Sequence, residues 1–247
     1  MNLFYAPDIE TTLTLPEGES QHCARVLRMQ PGDEIEIIDG HGTFYSCRVV
    51  APHARHTVVE IISSRHAEAT WPQNITVAVA PTKHMDRMEW LVEKLTEIGV
   101  SRIVPRLCRH SERREIKTER LEKIAISAMK QSLKARLPEI LPLTSATEFI
   151  ASCGGNRYMA YCDRSIPRRE LVEVYAPLAD STIMIGPEGD FSPEEIRLAL
   201  SSGWHPVSLG PHRLRTETAA LTACETFHIL DAAAACGRLT NPNTDSI

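Results

Sequence analysis

The stretch IGPEGDFSPEE, residues 185–195, carries an apolar run straight into Gly186-Pro187-Glu188-Gly189 and then into a helix start. The run before it, STIMIG at residues 181–186, is short and has no polar alternation, the pattern of a strand buried on both faces of a parallel sheet. After it, Ser192 stands as a helix N-cap, Pro193 as the first helical residue and Glu195 as the reciprocal partner of a capping box. A strand that turns through glycines into a helix is one βα unit. Its turn lies at the carboxyl end of the strand, where α/β sheets bind ligands because helices cover the faces. No Gly-x-Gly-x-x-Gly follows a candidate strand and no Gly-x-x-x-x-Gly-Lys-Ser/Thr occurs, so the dinucleotide and P-loop readings fail. Glu188 and Asp190 would repel a phosphate. The turn suits a ligand that is neutral or cationic where it meets the loop, approached closely by backbone that glycine leaves bare. Taken alone, it reads equally well as a plain tight connection.

A second turn of the same kind lies one βα unit downstream. LGPHRLRTETA, residues 209–219, also leaves a strand and enters a helix, and it carries Arg213, Arg215 and Glu217 among Thr216 and Thr218. Two such turns are expected to neighbour each other at one rim of the sheet and to enclose one pocket. The surrounding sequence has the same rhythm. Strands are expected at residues 74–81, 102–107, 157–162, 181–186 and 205–210. Between them, one helix places Met85, Met88, Leu91, Val92, Leu95 and Ile98 on one face before Gly99. Another, expected from about residue 119 to 135, turns Leu121, Ile124, Ala125, Ala128, Met129 and Leu133 inward, with Lys123, Lys130 and Lys134 on a separate stripe. A last helix is expected from about residue 216 to 236. The fold class is α/β, a mainly parallel sheet with helices on both faces.

The first 68 or so residues differ. DEIEIID (33–39), TFYSCRVV (43–50) and HTVVEII (56–62) alternate and are separated by turn residues, predicting a small antiparallel β-barrel domain with SQHCARVLRM (20–29) as a short inserted helix. Pro72 marks a linker, so the expected organisation is 1–68, 74–237 and a frayed tail, 238–247. The chain is 247 residues long, 43% hydrophobic and 24% charged, with a formal net charge of -5. That is an ordinary globular composition in which any nucleic-acid surface must be a local patch. No segment approaches the roughly 20 apolar residues that span a bilayer and no basic apolar leader opens the chain, so a cytoplasmic protein is expected. Seven cysteines without a Cys-x-x-Cys pair argue against a disulfide framework and a zinc knuckle. His53 and His56 have a ligand-like spacing but no carboxylate partner in view, and no metal is expected.

IGPEGDFSPEE followed by LGPHRLRTETA resembles the paired signature of the ribosomal RNA small-subunit methyltransferase E family, enzymes of the SPOUT class. HCARVLRMQPGDEIEIIDGHG (22–42) is similar to that family's N-terminal domain, KHMDRMEWLVEKLTEIGV (83–100) to its first long helix and AMKQSLKARLPEI (128–140) to its central helix. The chain departs from the family pattern at Asp190, where a second glycine is usual, at His212 and Arg213, where an arginine and an aliphatic residue are usual, and at Lys134, often an arginine. The first strand lacks the arginines often found there. The resemblance implies a PUA-like β-barrel followed by a methyltransferase domain with a C-terminal trefoil knot, a homodimer, and S-adenosylmethionine as cofactor. It implies a cofactor site at Cys162, Ile185, Gly186, Pro187, Glu188, Gly189, Leu209, Gly210, Leu214, Thr216, Thr218 and Ala219. The reaction implied is methylation of uracil N3 in 16S rRNA of the assembled small ribosomal subunit.

That chemistry assigns roles. N3 of uracil is a poor nucleophile until it loses its proton, whereupon charge spreads to the two flanking carbonyl oxygens, so a cationic donor is needed there. Arg215 matches the family motif and is the candidate for that donor; Glu217 also matches and would orient it, accept the proton, or simply form an ion pair that ties the last helix to its loop. His22, Arg25, Arg28, Lys83, Arg87, Arg109, Gln131 and Ser132 are the candidate RNA contacts, Lys83 and Arg87 reading also as dimer contacts or as plain helix-end residues. Basic runs at Arg102, Arg106, Arg109, Arg113 and Arg114, and at Arg164, Arg168 and Arg169, are further phosphate candidates. A SPOUT enzyme acting on a ribose 2′-hydroxyl, and a non-catalytic RNA-binding assembly factor, remain alternatives.

Overall fold

A computed structural model describes residues 2–237 apart from Thr70, Arg164 and Ser165. The tail, 238–247, and Arg164 lie outside the described residues. The chain packs as two compact units, the described residues of 1–70 with Ala125–Leu137, and those of 71–237 without that segment.

In the first unit, strand β1 (Leu3–Tyr5) is followed by short helices α1 (Ile9–Thr12) and α2 (Glu17–Gln21) and by β2 (Glu34–Ile38), β3 (Thr43–Ala51) and β4 (Val58–His66). The sheet order is β1-β2-β3-β4. β2, β3 and β4 pair antiparallel as expected, but β1 runs parallel to β2, with Phe4 opposite Ile37. The expected helix at 20–29 is instead α2 continued by one π-helical segment, His22–Val26, which stops before Arg28 in the left-handed region (φ 53°). Its inner side is anchored by the buried Cys23, in a core with Phe4, Ile9, Leu15, Ile37 and Tyr45.

The second unit holds β5 (Ile75–Val79), α3 (Met85–Ile98), β6 (Arg102–Leu107), the start of α4 (Thr118–Gln131), β7 (Glu139–Ile140), β8 (Thr144–Ser145), α5 (Ala146–Ser152), β9 (Asn156–Ala160), β10 (Arg169–Glu170), α6 (Leu171–Val174), β11 (Ser181–Ile185), α7 (Pro193–Ser201), β12 (His205–Ser208) and α8 (Thr216–Ala235). Its strands form one parallel sheet in the order β10-β12-β9-β11-β5-β6-β7, with β8 on β6. Every residue of β5 and β11 is buried, which is why neither alternates. Trp71, near the expected linker, belongs to this unit: its indole N–H donates to the Ile98 carbonyl at 2.9 Å and its ring stacks on His228 at 4.1 Å.

α3 buries Met88, Leu91, Val92 and Leu95 and ends at Gly99 (φ 111°), whose amide caps onto the Leu95 carbonyl. Burying each of those side chains contributes about 1.5–3 kcal/mol. α7 forms the predicted capping box, with Glu195 N donating to Ser192 Oγ at 3.2 Å and Ser192 N to Glu195 Oε2 at 2.8 Å. α4 stops at Gln131, short of the expected residue 135. Ser132 Oγ bonds back to the Ala128 carbonyl, and Leu133 takes a left-handed φ of 55° with 60% of its surface exposed rather than facing the core. Within the first unit, Met129 and Ala135 pack on Ile38 and Phe44, and Lys130 pairs with Glu19 at 2.6 Å.

Candidate functional site

The carboxyl ends of three strands, rather than two, enclose a cavity of 510 Å³. β9 lies between β11 and β12 in the sheet, so its loop enters the wall as well. Of the residues singled out from sequence, Cys162 comes from the β9 loop. Ile185, Gly186, Pro187 and Glu188 come from the β11 turn, and Leu209, Gly210, Leu214, Arg215, Thr216 and Ala219 from the β12 turn and the first turn of α8. Gly189, Thr218 and Glu217 are not on the lining. Gly189 faces His110, whose Cβ stands 3.1 Å from where a Gly189 Cβ would be, and Thr218 is exposed to solvent. The lining also includes Tyr161 and Arg168, which the sequence reading did not place there, and Asp190, His212 and Arg213 of the two turns.

Glu188 and Asp190, both on the cavity lining, each hold a backbone amide. Glu188 Oε1 accepts from the backbone N–H of Lys83 at 3.0 Å, and Asp190 Oδ2 accepts from that of Cys162 at 2.8 Å. The same device recurs around the rim: Glu195 Oε1 takes the Arg109 amide at 2.9 Å and Glu170 Oε2 the Gly210 amide at 3.0 Å. Each carboxylate pins one strand-end loop, and a charge-assisted bond to an amide is stronger than a neutral one. Gly210 has a φ of 109°, available to glycine alone without strain, and open space where a Cβ would stand. At Gly186 a Cβ would meet the Phe191 ring at 3.0 Å. Arg213 donates to the Glu188 carbonyl at 3.2 Å, joining the β12 turn to the β11 turn.

The start of α8 is fixed from two sides. The Thr216 hydroxyl, buried, donates to the Gly186 carbonyl at 3.1 Å. Glu217, 8% exposed, accepts from Arg87 at 2.6 Å across the packed pair α3 and α8. Arg215 is the N-cap residue, with extended backbone (φ -73°, ψ 158°) and an exposed side chain on the cavity lining.

Residues 69–228 match the RNA methyltransferase domain family, and residues 15–62 match the RNA methyltransferase PUA domain. The chain is 30% identical over 227 residues to the ribosomal RNA small subunit methyltransferase E of Aquifex aeolicus, covering 90% of this chain and 96% of that one. The chain belongs to the ribosomal RNA small subunit methyltransferase E family. Among solved structures it is similar to a probable rRNA-methyltransferase from Porphyromonas gingivalis, at 47% identity and a TM-score of 0.89 over 95% of this chain and 100% of that one. It is also similar to the small subunit methyltransferase E of Neisseria gonorrhoeae bound to S-adenosyl methionine, at 28% identity and a TM-score of 0.80 over 93% and 98%.

For a member of this methyltransferase family, the residues named as RNA or phosphate candidates sort by what they touch. His22, Arg25 and Arg28 are exposed on the first unit, as is Gln131, while Ser132 is half-buried by its bond to Ala128. On the second unit Lys83 pairs with Glu112 at 2.8 Å and Arg109 is exposed, but Arg87 is engaged by Glu217. Three of the basic-run arginines are structural. Arg106 is 6% exposed and stacks on the Phe149 ring at 4.1 Å, Arg113 donates to the carbonyls of Thr82 and Lys83, and Arg168 donates to the Tyr161 carbonyl. Arg102 and Arg169 form exposed ion pairs with Glu139 and Glu173, and Arg114 is exposed. The rings of His53 and His56 lie 3.8 Å apart, and no group of metal-ligating residues occurs among the described residues. Among those residues no helix is long and apolar enough to cross a membrane.

Proposed function

We propose that this chain methylates N3 of a specific uridine in 16S rRNA, with S-adenosylmethionine as methyl donor, as a cytoplasmic homodimer with a knotted C-terminal region acting on the small ribosomal subunit. The observation that carries the reading is one cavity walled by three strand-end loops with Arg215 on its lining, in a chain of this family. Its volume is within the range that takes a compact organic ligand. The lining fits the cofactor. Ile185, Leu209, Leu214 and Ala219 supply apolar wall, backbone at Gly186 and Gly210 is free of side chain, and Arg213 supplies positive charge for a carboxylate. When bound there, S-adenosylmethionine supplies an electrophilic methyl group on a sulfonium.

The protein's own residues do the rest. Arg215 faces the acceptor base and stabilises the negative charge that appears on the uracil oxygens when N3 loses its proton. Glu217, off the lining and held by Arg87, fixes the first turn of α8 and thereby the N-cap position from which Arg215 projects. It acts as a positioning residue rather than as the base. N3 lies on the pairing edge, so the target base is reached unpaired, and exposed Arg25, Arg28, Lys83 and Arg109 hold the flanking phosphates.

The test is expression in cells lacking their own small-subunit enzyme, followed by digestion of the rRNA and mass spectrometry. 3-Methyluridine is expected to return; a ribose-methylated nucleoside in its place, or no modification, would overturn the assignment. Sedimentation is expected to give the mass of two 27.6 kDa chains.

A further inference from the structure

The peptide group joining Tyr161 to Cys162 is gripped at both ends by opposite charges. Its carbonyl oxygen accepts from the Arg168 guanidinium, and its N–H donates to Asp190 Oδ2 at 2.8 Å. Tyr161, Cys162, Arg168 and Asp190 all line the cavity. A trans peptide presents its oxygen and its N–H in opposite directions, so a cation at one and an anion at the other lock its plane. The anion is itself set in place: Asp190 closes the turn through its own amide to the Pro187 carbonyl at 2.9 Å, and its Oδ1 accepts from Phe191 N at 2.9 Å. Its backbone is left-handed, φ 63°, a conformation that only glycine, asparagine and aspartate adopt readily. The chain thus accepts a less favourable backbone at a position where glycine would be unstrained. What it gains is a carboxylate bridging the β11 turn to the β9 loop.

We propose that Asp190 and Arg168 are positioning residues that pre-set the Tyr161–Cys162 peptide as one wall of the cofactor cavity, so that the loop is ordered before the cofactor arrives. This rests on the reading of the cavity as the S-adenosylmethionine site. Pre-ordering lowers the entropy lost on binding and therefore strengthens affinity without touching the methyl-transfer step.

Three substitutions test it. Asp190→Gly removes the carboxylate and relieves the backbone, whereas Asp190→Asn tolerates the same φ and keeps one acceptor oxygen for the Cys162 amide, losing the charge and the acceptor for Phe191 N. In the free protein, hydrogen exchange at the Cys162 amide is expected to speed up about tenfold in Asp190→Gly and by a smaller factor in Asp190→Asn. Calorimetry with S-adenosylmethionine is expected to show Kd raised about tenfold in Asp190→Gly, the scale of one charge-assisted hydrogen bond, and by a smaller factor in Asp190→Asn. kcat at saturating cofactor and KM for RNA should not move. Because both side chains act on one peptide, Asp190→Gly made on top of Arg168→Ala should weaken binding by less than about threefold further. Unchanged exchange in Asp190→Gly, a raised Kd without faster exchange, or fully additive losses would overturn the proposal. If wild type itself binds no S-adenosylmethionine, the functional reading falls, while the exchange measurement still decides whether Asp190 orders the loop.

Discussion

Arg215 projects from the N-cap of α8 onto the cavity with no hydrogen bond or ion pair to another described side chain, which leaves its donors available to a substrate. Arg215→Ala is expected to lower kcat by about 10²–10³, the loss typical of one anion-stabilising donor, with cofactor Kd nearly unchanged by calorimetry. Joint loss of binding and turnover would make it a structural residue. Glu217 carries a different expectation. Glu217→Gln keeps an oxygen to accept from Arg87, so turnover should stay within about tenfold of wild type, whereas loss of a general base would cost about 10²–10⁴. Arg87→Ala leaves a buried carboxylate without its partner at about 1–3 kcal/mol, read as a fall in Tm of several degrees by calorimetric scanning. The sequence singled out Arg215, Glu217 and Arg87 by type and place. That Glu217 would meet Arg87, 130 positions away, was not legible, because a carboxylate beside an arginine in sequence has equal claim to either.

Among the elements, α7 and the first turn of α8 were readable from local spacing, since capping boxes and βα turns are made within a few residues. α4 shows the limit. Its apolar period runs on through Leu133, but the side-chain bond of Ser132 and the left-handed Leu133 end the helix first. In α8, Asp231 is 2% exposed. Its Oδ1 accepts from the Tyr175 hydroxyl at 3.0 Å and from Leu178 N at 2.7 Å, while Oδ2 has no hydrogen-bond partner. Burial pushes its carboxyl above the usual range despite those two bonds. The native state therefore binds this proton more tightly than the unfolded chain, and this group's contribution to stability rises as pH falls toward its native titration and levels off below the unfolded value near ~4. Asp231→Asn should raise Tm at pH 7 by about 2–4 °C per kcal/mol of relieved desolvation and shrink toward no effect in acid, as thermal scans across pH would show.

At the scale of the molecule, a formal charge of -5 hides exposed arginines on both units. If these hold phosphates, RNA affinity falls with salt by about 0.7–0.9 logarithmic units per contact per decade, and replacing Arg25 and Arg28 with glutamine should reduce that slope by about 1.4–1.8, leaving cofactor affinity alone. A slope unchanged by the double substitution would remove the first unit from the interface. The parallel sheet and the β-rich N-terminal unit were expected from the switch between alternating and continuous apolar runs. The insertion of β9 between β11 and β12 was not, and it brings the third loop, with Tyr161 and Arg168, into the cavity wall.

By itself the sequence determined the main strands of the parallel sheet, the capped start of α7, two of the turns on the cavity wall and the family they resemble. Those signals are made by residues within about four positions of one another, so they survive without the rest of the fold. Only the tertiary structure decided which strand stands between those turns and which amide each carboxylate takes. Glu188 meets Lys83 across 105 positions and Asp190 meets Cys162 across 28, pairings set by the order of parallel strands, for which neighbouring residues carry no local code.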